Sequence, residues 1–250
     1  MRARTWTAAF AAVLLLTGCG SGEGPSEVEW PQELEYPPAP QQQLPQAAPA
    51  GREPTAEVPL ADLAHTGWLR NTAARTEIPR RALAAYAGAA LRLAQTEPEC
   101  GIGWNTLAGI GAVESIHGTY LGAQADAEGM VSPSIIGIPL DGSEGVKAIA
   151  DTDDGELDED REWDRAVGPM QFIPTTWADY AEDGNLDGEA DPHQIDDAAL
   201  SAAHYLCESG GDVSTDDGWT AALSAYNQSV SYAHDVADLA GSYGEQPQPS

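Results

Sequence analysis

The sequence predicts a mainly α-helical domain preceded by a proline-rich tether. Apolar residues recur at helical spacing in successive stretches between residues 78 and 240. No run alternates apolar and polar residues over more than a few positions, so no extensive sheet is expected. Nine of the eighteen prolines fall between residues 20 and 60, which confines the core-poor composition to one end.

The chain opens with Arg2 and Arg4, followed by an apolar stretch from Trp6 to Leu16 that is too short to span a bilayer. This pattern reads as a secretory signal. It ends in Leu16-Thr-Gly-Cys19, which resembles a bacterial lipobox, where the cysteine takes a lipid and becomes the first mature residue. An ordinary signal with a chance cysteine is the plainer alternative. Residues 20–62 follow as a tether, with segments such as Tyr36-Pro-Pro-Ala-Pro40 that favour extended, solvated chain.

The folded domain is expected over residues 63–240. Pro79 opens a helical pattern through Leu83, Tyr86, Ala90 and Leu93, and Pro98 follows its end. Trp104 to His117 forms the next helix, closed by Gly118. From Gly122 to Trp163 there is no clear period, and a long irregular loop region is expected. Helices resume at Pro174 to Tyr180, then along Ile195, Ala198, Ala202, Tyr205 and Leu206. Two more stripes follow, Trp219–Ala222–Leu223–Tyr226 and Val230–Ala233–Val236–Ala240. Residues 241–250 read as a disordered polar tail.

Composition excludes some functions. With 40 acidic residues against 11 Lys and Arg, the formal charge is -29. Phosphate contacts need basic side chains, so nucleic-acid binding is not expected. Electrostatic attraction to an anionic membrane is excluded for the same reason. Of three cysteines, Cys19 belongs to the lipobox, which leaves Cys100 and Cys207. Export to an oxidising compartment favours a disulfide between them over two buried thiols.

Glu114 is the residue that suggests chemistry. It ends an apolar, glycine-spaced run and shares a helix face with Leu107, Ile110 and Gly111. Burial there would raise its pKa, and so would the negative end of the helix dipole. A carboxyl that keeps its proton near neutrality suits a general acid. A structural Glu bonded to a neighbouring element fits the local pattern too. The second motif is Gly168-Pro-Met-Gln-Phe-Ile-Pro174, a turn whose single amide, Gln171, sits among apolar residues. Gln171 is either a ligand-facing amide or a core residue bonded to backbone. The third is Tyr226-Asn227, where Asn227 could cap the last helix or face a sugar.

Glu114-Ser115, the Gly168–Pro174 segment and Tyr226-Asn227, in this order and spacing, resemble the bacterial lytic transglycosylases. The match is to the membrane-bound lytic transglycosylase B type, in its actinobacterial lipoprotein form, and covers roughly residues 78 to 240. The resemblance implies a lysozyme-like domain that cleaves the β-1,4 bond between N-acetylmuramic acid and N-acetylglucosamine in peptidoglycan. It implies that Glu114 is the single acid and base, with the sugar's own 6-hydroxyl replacing water and a 1,6-anhydro ring as product; a hydrolytic muramidase on the same fold, or a non-catalytic cell-wall binding lipoprotein, is the alternative. Ser115 then orients the acid or the acetamido group. Met170, Gln171 and Phe172 form groove wall, and Tyr226, Asn227 and Tyr232 lie near the acid. No cofactor is required for this chemistry.

Asp183-Gly-Asn185-Leu-Asp187-Gly188-Glu-Ala-Asp191 matches the first part of a calcium loop, with ligands at positions 1, 3, 5 and 9 and glycine at 6. Position 12 is Gln194 rather than Glu, which weakens the site unless Asp196 or Asp197 reaches in. A structural calcium there, or a solvated acidic turn, fits the pattern; the resemblance favours calcium. The Asp151–Asp160 run lacks the glycine register and reads as a solvated loop. The expected partners are glycan strands and, through the anchor, the outer face of the cytoplasmic membrane. The chain is expected to act as a monomer.

Overall fold

The structure, a computed structural model, describes residues 35–49, 55–143 and 146–245. The signal stretch, Cys19 and the first part of the tether lie outside the described residues. Among the described residues, eight α-helices form the body: α1 (Leu60–Leu63), α2 (Thr66–Thr76), α3 (Arg80–Thr96), α4 (Trp104–Ser115), α5 (Pro174–Tyr180), α6 (Ile195–Gly210), α7 (Asp216–Tyr226) and α8 (Val230–Gly244). Between α4 and α5 lie two small antiparallel pairs. Strand β1 (Gln124–Ala125) pairs with β2 (Val131–Ser132), and β3 (Ile136–Pro139) pairs with β4 (Arg165–Val167). The domain is mainly α, as the periodicity predicts.

Helix α4 lies at the centre. Trp104 to Gly111 are all buried, and α3, α6 and α8 pack around it. Its glycines permit that closeness. A Cβ on Gly109 would stand 2.8 Å from the Val236 carbonyl of α8, and one on Gly111 would stand 2.1 Å from the Tyr86 hydroxyl of α3. Asn105, fully buried, binds α8 by donating to the Ala240 carbonyl at 3.0 Å. Cys100 and Cys207 form a disulfide with Cα atoms 5.3 Å apart, linking the α3–α4 connection to α6.

Several boundaries differ from expectation. Residues 35–49, counted with the tether, are extended but lie on the domain. Gln42 accepts from Gly103 N and Thr106 Oγ1, both at 2.8 Å, and Ala48 N donates to Leu63 O at 2.7 Å. Proline-rich chain makes few bonds within itself, so its amides and side chains find partners on the helices. The domain continues past residue 240, since α8 runs to Gly244 and Tyr243 bonds His117. Helix α4 is closed not by Gly118 but by Ile116, at φ 54°. A β-branched residue in that conformation is strained by about 1–3 kcal/mol, and it stands two positions from Glu114.

Candidate active site

Three segments remote in sequence meet at the end of α4. The chain at Gly168-Pro-Met-Gln171 makes a tight turn, closed by Val167 and Phe172 exchanging backbone hydrogen bonds at 2.8 and 3.0 Å. Gly168 is required there. Its φ is +77°, and a Cβ would lie 1.8 Å from the Pro192 carbonyl. Two side chains hold the turn. The Ser115 hydroxyl donates to Pro169 O at 2.6 Å and accepts from Gly118 N at 2.7 Å. The Tyr226 hydroxyl donates to Met170 O at 2.7 Å. The Glu-Ser, Gly-Pro-Met-Gln and Tyr-Asn segments are therefore joined directly.

Above this junction lies a cavity of about 220 Å³. Glu114, Gln171, Phe172, Tyr226 and Asn227 line it, all singled out by the sequence. So do Leu140, Ala166, Ile173, Thr176, Tyr205 and Ala225, which were not. Tyr205 stood on the α6 stripe and could have been found by asking which stripe residues face Tyr226. Leu140 gave no signal.

Glu114 is half-buried, and Tyr232 of α8 donates to its Oε1 at 2.6 Å. Burial pushes the carboxyl from its usual 4.5 up to about 7, while the Tyr232 hydrogen bond works the other way. Burial wins because one hydrogen bond replaces only part of the lost hydration. Tyr226 and Tyr232 are held well above the usual phenol range by burial and the nearby Glu114 charge, so both remain neutral donors. Among the described residues lining the cavity, Glu114 is the only carboxyl.

Two expected positions differ. Met170 is fully buried in the core, and its carbonyl rather than its side chain serves the site. Ser115 holds the turn instead of contacting Glu114. Asn227 does not cap α8. Ser229 takes that place, accepting from Tyr232 N, while Asn227 accepts from Ser229 N at 3.0 Å. Gln171 donates to Gly168 O at 2.9 Å and keeps its Oε1 beside Gly137 of β3.

The 183–191 loop wraps around buried Asp197. That carboxylate accepts from Gly184 and Asn185 N through Oδ1 and from Asp191 N through Oδ2, and burial raises its pKa to about 6. Asp183, Asn185 and Asp187 turn their oxygens onto the loop's own amides. Gln194 is used elsewhere, accepting from Asp196 N and Asp197 N as the cap of α6. Asp196 pairs with Arg81.

The Asp151–Asp160 run is not simply solvated. Asp158 and, beyond the run, Asp164 are buried and accept from Arg165 N and Thr152 N. Asp151, Asp153 and Asp164 bring carboxylate oxygens within 4.8 Å of one another.

A mainly helical domain with one proton-holding carboxyl lining a cavity carries the group that acid-catalysed cleavage of a glycosidic bond needs. A family model described as the transglycosylase SLT domain matches residues 67–223, and the chain belongs to that family. Among solved structures it is similar to the lytic transglycosylase Slt35 of Escherichia coli in complex with bulgecin A, with 17% identity, 71% of this chain and 77% of that one covered, and TM-score 0.42. It is also similar to SltB3 from Pseudomonas aeruginosa in complex with NAG-anhNAM-pentapeptide, with 18% identity, 70% and 66% covered, and TM-score 0.39. No curated protein matches significantly.

Proposed function

We propose that this lytic transglycosylase cleaves the bond between N-acetylmuramic acid and N-acetylglucosamine without water and leaves 1,6-anhydro ends. The observation that carries the proposal is the solitary carboxyl. Hydrolytic glycosidases set two carboxylates across the bond. Here Glu114 is the only carboxyl among the described residues lining the cavity, with its pKa pushed up to about 7. One group must then do both proton transfers. Protonated Glu114 gives its proton to the glycosidic oxygen as the bond to the anomeric carbon breaks. The acetamido oxygen of the substrate stabilises the cationic centre. The Glu114 carboxylate, steadied by the Tyr232 hydroxyl, then takes the proton of the 6-hydroxyl as that oxygen closes onto the anomeric carbon. Gln171, Tyr226 and Asn227 hold the sugar, and Phe172 and Tyr205 supply apolar wall.

The proposal extends to the cell. The charged start, the short apolar stretch and Cys19 support a lipoprotein of the B type, on the outer face of the cytoplasmic membrane, acting in wall remodelling. The 183–191 loop offers calcium an all-oxygen set from Asp183, Asn185 and Asp187, with Asp191 at the ninth position. Its twelfth ligand is missing, so affinity is weak. The test of the main proposal is Glu114→Gln, with products read by mass spectrometry of digested peptidoglycan. Release of anhydro-muropeptides should stop while the fold persists. Reducing ends from the wild type, or normal release by the variant, would overturn it.

A further inference from the structure

Residues 35–49 supply what helix α4 lacks. Its N-cap is Gly103, which has no side chain to receive the first amides of the helix. Those amides find acceptors on the extended segment. Gly103 N donates to Gln42 Oε1 at 2.8 Å, and Trp104 N donates to Gln43 O at 3.0 Å. Gln42 Oε1 also accepts from Thr106 Oγ1 at 2.8 Å, so one amide oxygen serves both ends of the first turn. In a capping box, a side chain of the helix itself reaches back to the N-cap amide. Here Gln42 does so from 61 residues away in sequence.

Gly103 belongs to the same arrangement. Its φ is -98°, open to any residue, so conformation does not demand glycine. Space does. A Cβ there would stand 2.5 Å from both Gln43 N and Asn105 Oδ1, and 3.0 Å from Gln42 Oε1. Helix α4 thus forgoes a side-chain cap at a position where a side chain would push residues 42 and 43 away.

Asn105 carries the hold from α4 to α8. It is fully buried. Its Oδ1 accepts from Gln43 N at 2.9 Å, while its Nδ2 donates to Gln41 O at 3.1 Å and to Ala240 O of α8 at 3.0 Å. The start of the segment holds α7 and α8 beside the cavity. The Tyr36 hydroxyl donates to Gln228 O at 3.3 Å, next to the cavity-lining Asn227. His234 Nε2, two residues after Tyr232, donates to Glu35 O at 2.8 Å. Ala39 N donates to Asp216 Oδ1 at the start of α7, also at 2.8 Å. Pro37 and Pro45 are buried against the domain.

The helices joined in this way are the two that meet at the acid, Glu114 on α4 and Tyr232 on α8, with oxygens 2.6 Å apart. We propose that residues 35–49 are a positioning strap for the active site. Gln42 caps α4, Gln43 acts through Asn105 to fix α4 against α8, and together they set the contact between Tyr232 and Glu114. This rests on Glu114 being the acid. A hydrogen bond between two helices weakens steeply as its distance and angle change. Misplacing a catalytic group by about 1 Å can cost about a hundredfold in rate. Gln42 is therefore a positioning residue, acting through α4.

The test is Gln42→Ala in the full chain, with rates of anhydro-muropeptide release from purified peptidoglycan measured across pH. The kcat should fall about three- to tenfold with KM little changed, since no residue of 35–49 lines the cavity. The alkaline limb should move up by about 0.5 unit, because the weakened Tyr232 hydrogen bond is what lowers the Glu114 pKa. Tyr226 and Tyr232, whose own titration feels the Glu114 charge, stay neutral throughout that range. Gln42→Glu keeps the acceptor at a helix N-terminus that favours negative charge, and gives up the bond from Gln42 Nε2 to Pro40 O. It should restore both rate and limb. Gly103→Ala displaces the strap without touching Gln42. It should reproduce the losses of Gln42→Ala, and it carries the test should that variant not fold. A lower melting temperature with unchanged kcat and limb would reduce the strap to packing and overturn the proposal. So would a Gln42→Glu variant as slow as Gln42→Ala. Absence of anhydro products from the wild type would instead overturn the reading of Glu114.

Discussion

The pKa of Glu114 is a balance between burial and one hydrogen bond from Tyr232. Tyr232→Phe removes the donor and leaves the burial. A hydrogen bond to a charged group is worth about 1.5–3 kcal/mol, so the pKa should rise by about 1 unit or more. The alkaline limb of the pH–rate profile should move up accordingly, while the base step loses its support and kcat falls. An unmoved limb would show that Tyr232 does not set the acid. The same shift governs stability. Below about 4.5 Glu114 is protonated in both native and unfolded states. Between there and about 7 the native state keeps a proton that the unfolded chain has lost, so rising pH removes stability. Above 7 the penalty is constant. Glu114→Gln lacks that charge and should be more stable than wild type at pH 8, by roughly 1–2 kcal/mol once residual hydration is allowed for. Denaturant melts at pH 5 and pH 8 measure the difference.

At the level of elements, the site depends on α4 and α8 lying close together. Glu114 is on one helix and Tyr232 on the other, and Gly109 is where they meet. Gly109→Ala would gain helix propensity of about 1 kcal/mol, yet its methyl would press on the Val236 carbonyl. Overpacking of this kind costs about 1–3 kcal/mol, so the variant should melt lower and cleave more slowly. An increase in melting temperature would show that the helices have room to spare. The helices that build this contact were readable in the sequence, because α7 and α8 each bury a stripe with a 3.6-residue period, while α3, α4 and α6 carry runs of small and apolar residues long enough to be buried on nearly every side. Helix α2 was not. Its residues Thr66, Gly67, Asn71 and Thr72 break the stripe, and its cap is His65, whose Nδ1 accepts from Gly67 and Trp68 N. The region after α4 was read as irregular, and β3 and β4 escaped notice. Their order comes from distant contacts such as Arg165 donating to the Gly137 carbonyl. No local period records those contacts. Leu140 reaches the groove by this route, so it was missed with them.

Over the whole molecule, two constraints tie together segments that are distant in sequence or irregular in conformation. The Cys100–Cys207 bond closes a loop of 107 residues. Its removal by Cys100→Ser/Cys207→Ser should cost about 4 kcal/mol in the chain-entropy picture, visible as a lower denaturation midpoint with the active site intact. The second is the 183–191 loop, which wraps around buried Asp197. Calcium at millimolar concentration should raise the melting temperature of the full chain, with the effect lost in Asp183→Ala; an equal response to magnesium would argue for simple charge screening. The meeting of the three motifs was readable in outline, since their residue types were known. How they meet was not. Ser115 and Tyr226 act on the carbonyls of Pro169 and Met170, and a carbonyl leaves no mark in a side-chain sequence.

The central claim is that Glu114 works alone, with the substrate supplying its own nucleophile. Digestion of purified peptidoglycan in heavy-oxygen water tests it directly. The expected products are muropeptides lighter by one water than the hydrolysed product and free of heavy oxygen. Heavy oxygen at the new muramic acid ends would mean that water attacks and that a second group activates it, which would contradict the claim.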